Sequence, residues 1–231
     1  MQLKILYEDN HLLVIDKQAG LLSQADKSGS ADALTLAKKY IKAKYNKPGE
    51  VFLGLVHRLD KPVSGVLVFA RTSKAASRLT QQFKERRVEK TYLAIVEGVH
   101  TGKGTCVDWL RKTGERVHIV SADKPGARQA RLSWRAVAST HERTLLRVQL
   151  ETGRPHQIRV QLSARGMPIL GDSKYGARLP WDGNTLALHC VRLSLVHPTR
   201  KEKLSFVSRP GGSWPDLFAT HIDALARPEL D

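Results

Sequence analysis

The chain has 231 residues, 41% of them hydrophobic and 26% charged, which suits one globular domain or two small ones with a real core and argues against wholesale disorder. Its 38 Lys plus Arg outweigh 22 Asp plus Glu to give a formal charge of +16. With a pI near 10.1, this points to a polyanionic partner, nucleic acid ahead of anionic membrane or acidic protein. No apolar run approaches membrane-spanning length, and Lys4, Glu8 and Asp9 stand where a signal peptide needs an apolar core, so a cytoplasmic protein without membrane association is expected. Cys106 and Cys190 are far apart and form no C-x-x-C pair, which favours neither a disulfide framework nor a zinc knuckle and suits a reducing compartment.

In chain order, Lys4 to Tyr7 and Leu12 to Ile15 read as a hairpin around the polar turn Glu8-Asp9-Asn10. From Ala31 to Tyr45, Leu34, Ala37, Ile41 and Tyr45 recur at helical spacing, Ser30 can cap the start and Pro48-Gly49 ends it. Val51 to Val56 and Gly65 to Ala70 read as buried strands flanking the polar segment His57 to Ser64. Thr72 or Ser73 can cap a helix to about Arg86, with Ala76, Leu79 and Phe83 inward. Strands are expected at Thr91 to Val96, Arg116 to Val120, Arg131 to Ala138 and Thr144 to Glu151. A helix then follows with Pro155 in its first turn, Ile158 and Leu162 on one face, and a stop at Gly166. Leu186 to Val196 and Lys203 to Val207 are the last strands, before a helix near Trp214 to Ala224. Strands outnumber helices and several adjoin without a helical crossover, so the fold class is α+β with a mostly antiparallel or mixed sheet flanked by helices and loops, in a single domain over residues 1–231.

The excess charge falls in three runs: Lys38, Lys39, Lys42, Lys44 and Lys47; then Arg71 to Lys90, with seven positive and two negative residues; then Lys103 to Arg135, with eight against three. Any one run could be a solvated face, but three of one sign fit a polyanion surface. Gly98 to Gly104 is too short between its glycines for a phosphate loop, no G-x-G-x-x-G follows a strand, and the nine histidines lack metal-ligand spacing. No metal or cofactor is expected.

Two segments carry chemistry. In His57-Arg58-Leu59-Asp60-Lys61-Pro62-Val63-Ser64-Gly65 a carboxylate sits at a turn between strands, beside two cations, where it can be held ionised and exposed as a nucleophile or base. The residues alone also fit a structural Asp bonded to turn amides or paired with Arg58. Thr152-Gly153-Arg154-Pro155-His156-Gln157-Ile158-Arg159 gathers donors near a helix start. Arg159 there fits an exposed helix charge, a partner for a buried carboxylate, or an RNA phosphate contact.

Taken with Phe69-Ala70-Arg71-Thr72, Lys90-Thr91-Tyr92 and Gly171-Asp172-x-x-Tyr175-Gly176, these segments stand in an order that resembles the successive motifs of the RluA family of RNA pseudouridine synthases. Tyr7-Glu8-Asp9-Asn10, Leu188-His189 and His197-Pro198 also match. The likeness departs at Gln18, at Pro62-Val63 and at Gln161, where the family usually has Pro, Asp-Thr or Glu-Thr, and His. None of these replaces the presumed nucleophile. The catalytic pattern begins at the first residues, so an S4-type RNA-binding domain is not expected and the catalytic domain must supply its own RNA contacts.

The resemblance implies a pseudouridine synthase fold and isomerisation of uridine in structured tRNA or rRNA, with base flipping and without cofactor or metal. It assigns catalysis to Asp60, Tyr92 and Arg159: Asp60 attacks C1′ or works by a glycal or base-attack route, Tyr92 stacks on the uracil, and Arg159 pairs with Asp60. Arg58 is implied to fill the space left by the flipped base, with simple charge pairing as its other reading. His57, Arg154, His156, Gln157, Lys84, Arg86, Arg87 and Lys90 are candidate substrate-binding or scaffold positions, and Arg111, Lys112 and Arg116 further phosphate contacts. RNA is the expected partner, with no obligate protein partner and a monomeric state. A catalytically silent RNA-binding protein on the same scaffold and a metal-dependent nuclease are the competing readings; the residues at 60, 92 and 159 speak against the first, and missing ligand spacing against the second.

Overall fold

A computed structural model describes residues 3–27 and 29–227. Its centre is one eleven-stranded mixed sheet, as expected from the many strands joined without helical crossovers. The first half is the antiparallel pair β1 (Lys4–Glu8) and β2 (Leu12–Lys17), with β2 also antiparallel to β4 (Ser64–Ala70). β3 is only Gly54–Leu55, on the edge of β4. The expected strand from Val51 to Val56 therefore shrinks to two residues: Val51 and Leu53 are buried but Phe52 is exposed, so the segment anchors by side chains more than by ladder bonds.

Two helices accompany this half. α1 (Ala33–Lys44) is capped by Asp32, whose carboxylate accepts from the Thr35 N–H at 2.9 Å, in place of the expected Ser30 cap. α1 buries Ala33, Ala37 and Ile41 and stops before Asn46, which is left-handed. Tyr45, expected inward, is instead exposed and donates to Glu8 at 2.6 Å. α2 (Ser73–Lys84) is capped by Thr72 and buries Leu79, as the sequence pattern required.

The second half runs β5 (Glu89–Glu97), β9 (Arg143–Leu150), β8 (Arg128–Ser139), β6 (Lys103–Thr113) and β7 (Arg116–Val120), antiparallel throughout. β6 went unread in the sequence because its polar and apolar residues alternate imperfectly: Cys106 and Leu110 are buried while Val107 is exposed. β10 (Leu188–Val196) joins the halves, antiparallel to β5 and parallel to β4, with β11 (Lys203–Val207) on its far end. The parallel seam is only two residue pairs, His189 with Ser64 and Cys190 with Gly65. Gly65 has φ +113°, and a Cβ there would lie 2.3 Å from the Cys190 carbonyl oxygen, so glycine is needed both for the turn of the backbone and for the close approach.

α3 (Gln157–Ser163) is seven residues long and starts after His156, which is left-handed (φ 49°) and cannot belong to the helix. Pro155 accordingly lies before the helix and not in its first turn. Val160 packs with Leu110, Val117 and Ala130, which fixes α3 against one face of the β6–β8 region. A 3-10 turn at Asp216–Phe218 leads into α4 (Ala219–Leu225), in place of one continuous terminal helix. No helix among the described residues is long and apolar enough to cross a membrane.

Candidate active site

The carboxylate of Asp60 is presented by a turn locked from several sides. Its own carbonyl accepts from Val63 N–H at 3.0 Å, the Lys61 carbonyl accepts from Gly20 N–H at 2.8 Å, and the Pro62 carbonyl accepts from Leu186 N–H at 3.1 Å. Buried Ser23 grips the preceding residue at both ends: its hydroxyl donates to the Leu59 carbonyl at 2.7 Å and accepts from Leu59 N–H at 3.0 Å. Beneath the turn lies Lys17, with no exposed surface. Its Nζ donates to the carbonyls of Leu21 at 2.7 Å, Gln18 at 3.0 Å and Lys61 at 3.3 Å. Burial pushes this lysine down to about 7, opposed by the charge of Asp60.

Arg159 reaches Asp60 from α3, 99 residues away in sequence, with Nη1 3.2 Å from Oδ2. The other edge of the guanidinium makes a two-pronged pair with Asp172, Nε to Oδ2 at 2.7 Å and Nη2 to Oδ1 at 2.8 Å. Asp172 is 1% exposed and Arg159 6%, so two buried charges neutralise each other and the third bond projects toward the half-buried nucleophile candidate. The two carboxylates and their hydrogen bonds outweigh burial and raise the Arg159 pKa. Its guanidinium also lies 5.1 Å over the Tyr175 ring.

His156 completes this side, with Nε2 3.9 Å from Asp60 Oδ2 and Nδ1 2.8 Å from the Tyr175 hydroxyl, which itself accepts from Val117 N–H at 2.9 Å. A hydroxyl that accepts from an amide can donate to Nδ1, which leaves the Nε2–H toward Asp60. Burial lowers the His156 pKa against the pull of Asp60. Asp60 Oδ2 is thus occupied, and Oδ1 has no hydrogen bond among the described residues.

Tyr92 lies on β5, 6% exposed, directly across the β5–β10 ladder from Cys190, whose thiol donates to the Arg192 carbonyl at 3.8 Å. Burial first, and then Cys190, raise its pKa well above the ordinary phenol value, and the same burial pushes Cys190 up to about 12. Both groups therefore stay protonated near neutrality. Both cysteines of the chain are buried free thiols.

The structure redistributes the remaining candidates. His57 turns inward: its Nε2 accepts from Val68 N–H at 3.0 Å, its ring stacks on Phe83 at 4.9 Å, and burial pushes it down to about 3. Gln157 is also scaffold, 2% exposed. It accepts from the Thr152 hydroxyl at 2.7 Å and Arg154 N–H at 3.0 Å, and donates to the Arg131 carbonyl at 3.1 Å. Arg58 is exposed and forms no ion pair among the described residues, so Asp60 is held by Arg159 and not by its sequence neighbour. Arg154 donates its Nε–H to the Gln129 carbonyl at 3.0 Å, and burial, followed by the like charges of Arg86 and Arg128, lowers its pKa. Lys90 is mostly buried and its pKa lowered, with Nζ 5.9 Å over the Phe83 ring. Arg87 pairs with Glu85, and Lys84 is exposed.

Lys17, Tyr175 and above all Asp172 are site residues that residue-by-residue reading missed. Gly171-Asp172-x-x-Tyr175-Gly176 marked the segment, but nothing local shows that Asp172 faces Arg159. Among the described residues no group of His, Cys, Asp and Glu is arranged to hold a metal.

A family model described as RNA pseudouridylate synthase matches residues 11–164. The ribosomal large subunit pseudouridine synthase D of Pseudomonas aeruginosa is 37% identical over 225 residues, 90% of this chain and 68% of that protein. This chain belongs to the RNA pseudouridine synthase family. It is accordingly an isomerase that converts uridine in RNA to pseudouridine. The tRNA pseudouridine synthase C of Haemophilus ducreyi is 33% identical, covering 94% of this chain and 95% of that protein. Human RNA pseudouridylate synthase domain containing 4 superposes with a TM-score of 0.73 at 27% identity over 96% of this chain and 92% of that one. The chain spans about two thirds of the length of the first curated relatives it matches.

Proposed function

We propose that this synthase acts on uridines in structured tRNA or large-subunit rRNA, with Asp60 as the catalytic carboxylate, Arg159 as its orienting partner and Tyr92 as the platform for the target uracil. The observation that carries this is the Asp60–Arg159–Asp172 chain. One carboxylate is buried and neutralises the arginine; the other keeps an oxygen unbonded at a half-buried turn. In the reaction the N1–C1′ bond breaks, C5 bonds to C1′, the C5 proton departs to solvent and N1 gains a proton, with no change of oxidation state. A carboxylate with one lone-pair face unengaged suits attack on C1′, as in retaining glycoside hydrolysis. Arg159 holds Asp60 ionised and aimed.

Arg58, exposed next to Asp60 and without an ion pair among the described residues, is suited to enter the stack that the target base leaves. Arg154 with Arg86 and Arg128, and Lys90 near the Gly153 backbone, form the phosphate-binding flank. RNA contacts thus come from this domain's own basic surface. A monomer in the cytoplasm belongs to the same proposal, since RNA as substrate and two free thiols in the chain suit a reducing compartment. Substrate class follows from the relatives, named for large-subunit rRNA and for tRNA. Tritium release from RNA labelled at uridine C5, measured on unmodified tRNA and rRNA transcripts with an Asp60→Asn control, tests the reading. Release lost in the control supports it, and release by the control at the wild-type rate overturns the role of Asp60.

A further inference from the structure

The β6–β9 half of the sheet has two faces, and only one is used by the site. α3 covers the face that carries Leu110, Val117 and Ala130, and Gln161 of α3 bonds Asp108 at 2.6 Å on the same side. Side chains alternate along a strand, so the intervening residues point away from α3. On that opposite face the register sets Lys103 of β6 directly against Arg135 of β8, and Arg135 directly against Arg147 of β9. Three cations therefore stand in one cross-strand row. All three are exposed, and none forms an ion pair or hydrogen bond among the described residues.

Like charges directly opposite on neighbouring strands have Cβ atoms about 5 Å apart and destabilise the pairing. A solvated sheet face normally avoids this by alternating sign, as happens two residues along β6 and β8 from the next row, where Arg131 pairs with Glu151 at 2.9 Å. The row has no such acid: no Asp or Glu in β6, β7, β8 or β9 points to this face. The next row along the strands is Thr105, Ser133 and Gln149, uncharged hydrogen-bonding groups, and beyond it lie half-exposed Val107 beside Arg131 and then Trp109. Cations spread over roughly 10 Å of flat sheet, with polar and aromatic groups beside them, match a nucleic-acid backbone in spacing and sign.

We propose that the face of β6, β8 and β9 turned away from α3 is a second RNA-binding surface, with the Lys103–Arg135–Arg147 row engaging backbone phosphates of the substrate RNA outside the catalytic cleft. The proposal rests on the RNA-substrate reading above and extends it: a folded RNA wraps past the edge of the domain, while a short stem-loop that fills only the cleft does not reach this row. Relief of the repulsion within the row favours the bound state, so the three residues contribute more to RNA affinity than their number of charges elsewhere on the surface.

The test uses the whole chain and the substitutions Lys103→Gln, Arg135→Gln and Arg147→Gln combined. A control combines Lys27→Gln, Arg178→Gln and Lys201→Gln, which removes the same charge from exposed positions outside the three basic runs and without side-chain partners among the described residues. Binding to unmodified tRNA and rRNA transcripts is titrated against salt, and turnover is measured on these transcripts and on a short stem-loop with the target uridine. The row variant is expected to lower the slope of log K against log salt by about 2 to 3 and to weaken binding to full transcripts about tenfold. It should raise KM there with kcat unchanged, leave the stem-loop untouched, and unfold at or above the wild-type temperature. Equal losses in both variants would reduce the effect to net charge and overturn the proposal. Unchanged binding by the row variant would overturn it too, and leave an acidic protein surface as the occupant to examine. If the wild type itself neither binds nor modifies either transcript, the substrate reading fails and not the row alone.

Discussion

Replacing Asp172 by Asn separates anchoring from chemistry, because Asp172 touches Arg159 and not Asp60. Asn keeps the shape but presents an amide NH2 to one of the two guanidinium N–H groups that now meet carboxylate oxygens at 2.7 and 2.8 Å. Donor then faces donor, and a guanidinium with 7% side-chain exposure is left with one partially exposed carboxylate at 3.2 Å. Breaking a buried pair from one side costs about 3–5 kcal/mol, which for a chain of this size lowers Tm by roughly 6–20 °C. Arg159, no longer pinned, loses its fixed approach to Asp60, and a displacement near 1 Å in a catalytic group costs about 100-fold in rate. Urea unfolding followed by Trp fluorescence measures the first effect, and single-turnover tritium release at a temperature where the variant is folded measures the second. Asp172→Asn combined with Asp60→Asn should show a coupling of about 0.5–3 kcal/mol in stability, since both act through one guanidinium. A single variant within about 1 kcal/mol of wild type and with full turnover would refute the anchoring argument.

Asp60→Asn should abolish turnover while its RNA affinity stays within a few-fold of wild type, read by parallel tritium release and filter binding; parallel loss of binding would make Asp60 an RNA contact. Tyr92→Phe keeps the ring and loses only the hydroxyl, so it should leave KM nearly unchanged, whereas Tyr92→Ala loses stacking of about 1–3 kcal/mol and should weaken substrate binding; equal KM values in the two variants would speak against stacking. Lys17 titrates at about 7 in the folded chain against 10.5 as its ordinary value, so the unfolded chain holds the extra proton between those limits and stability gains from this group as pH rises from 7 to 10.5, by no more than about 5 kcal/mol. Lys17→Met should remove that upward slope and lower stability at every pH, since three buried carbonyls lose their donor; the same slope in both proteins would show that Lys17 does not titrate there. Gly65→Ala should destabilise by more than about 3 kcal/mol, because its Cβ would meet Cys190 backbone and not a movable side chain, and a native melting temperature in that variant would sink the close-approach argument.

Local chemistry made most of the elements legible in the sequence. Thr72 before the Leu79 face gave α2, alternating residues gave most of the strands, and the joining of strands without helical crossovers gave the α+β class. Elements whose stability comes from neighbours were misread. β6 lacks clean alternation and holds its place by pairing with β7 and β8, while α3 is cut short at His156 by a left-handed backbone conformation, next to which Gln157 bonds Thr152, Arg154 and, 26 residues away, the Arg131 carbonyl.

The sequence by itself determined the excess positive charge, the polar turn around Asp60 and the order of motifs that places the chain in its family, because each is carried by residues adjacent along the chain. Only the tertiary structure decided which cation holds Asp60, which buried acid holds that cation, that His57 and Gln157 serve the scaffold, and that Lys103, Arg135 and Arg147 stand in one row. Those facts depend on the register of a sheet that brings residues tens of positions apart within bonding distance, and no local pattern records that register.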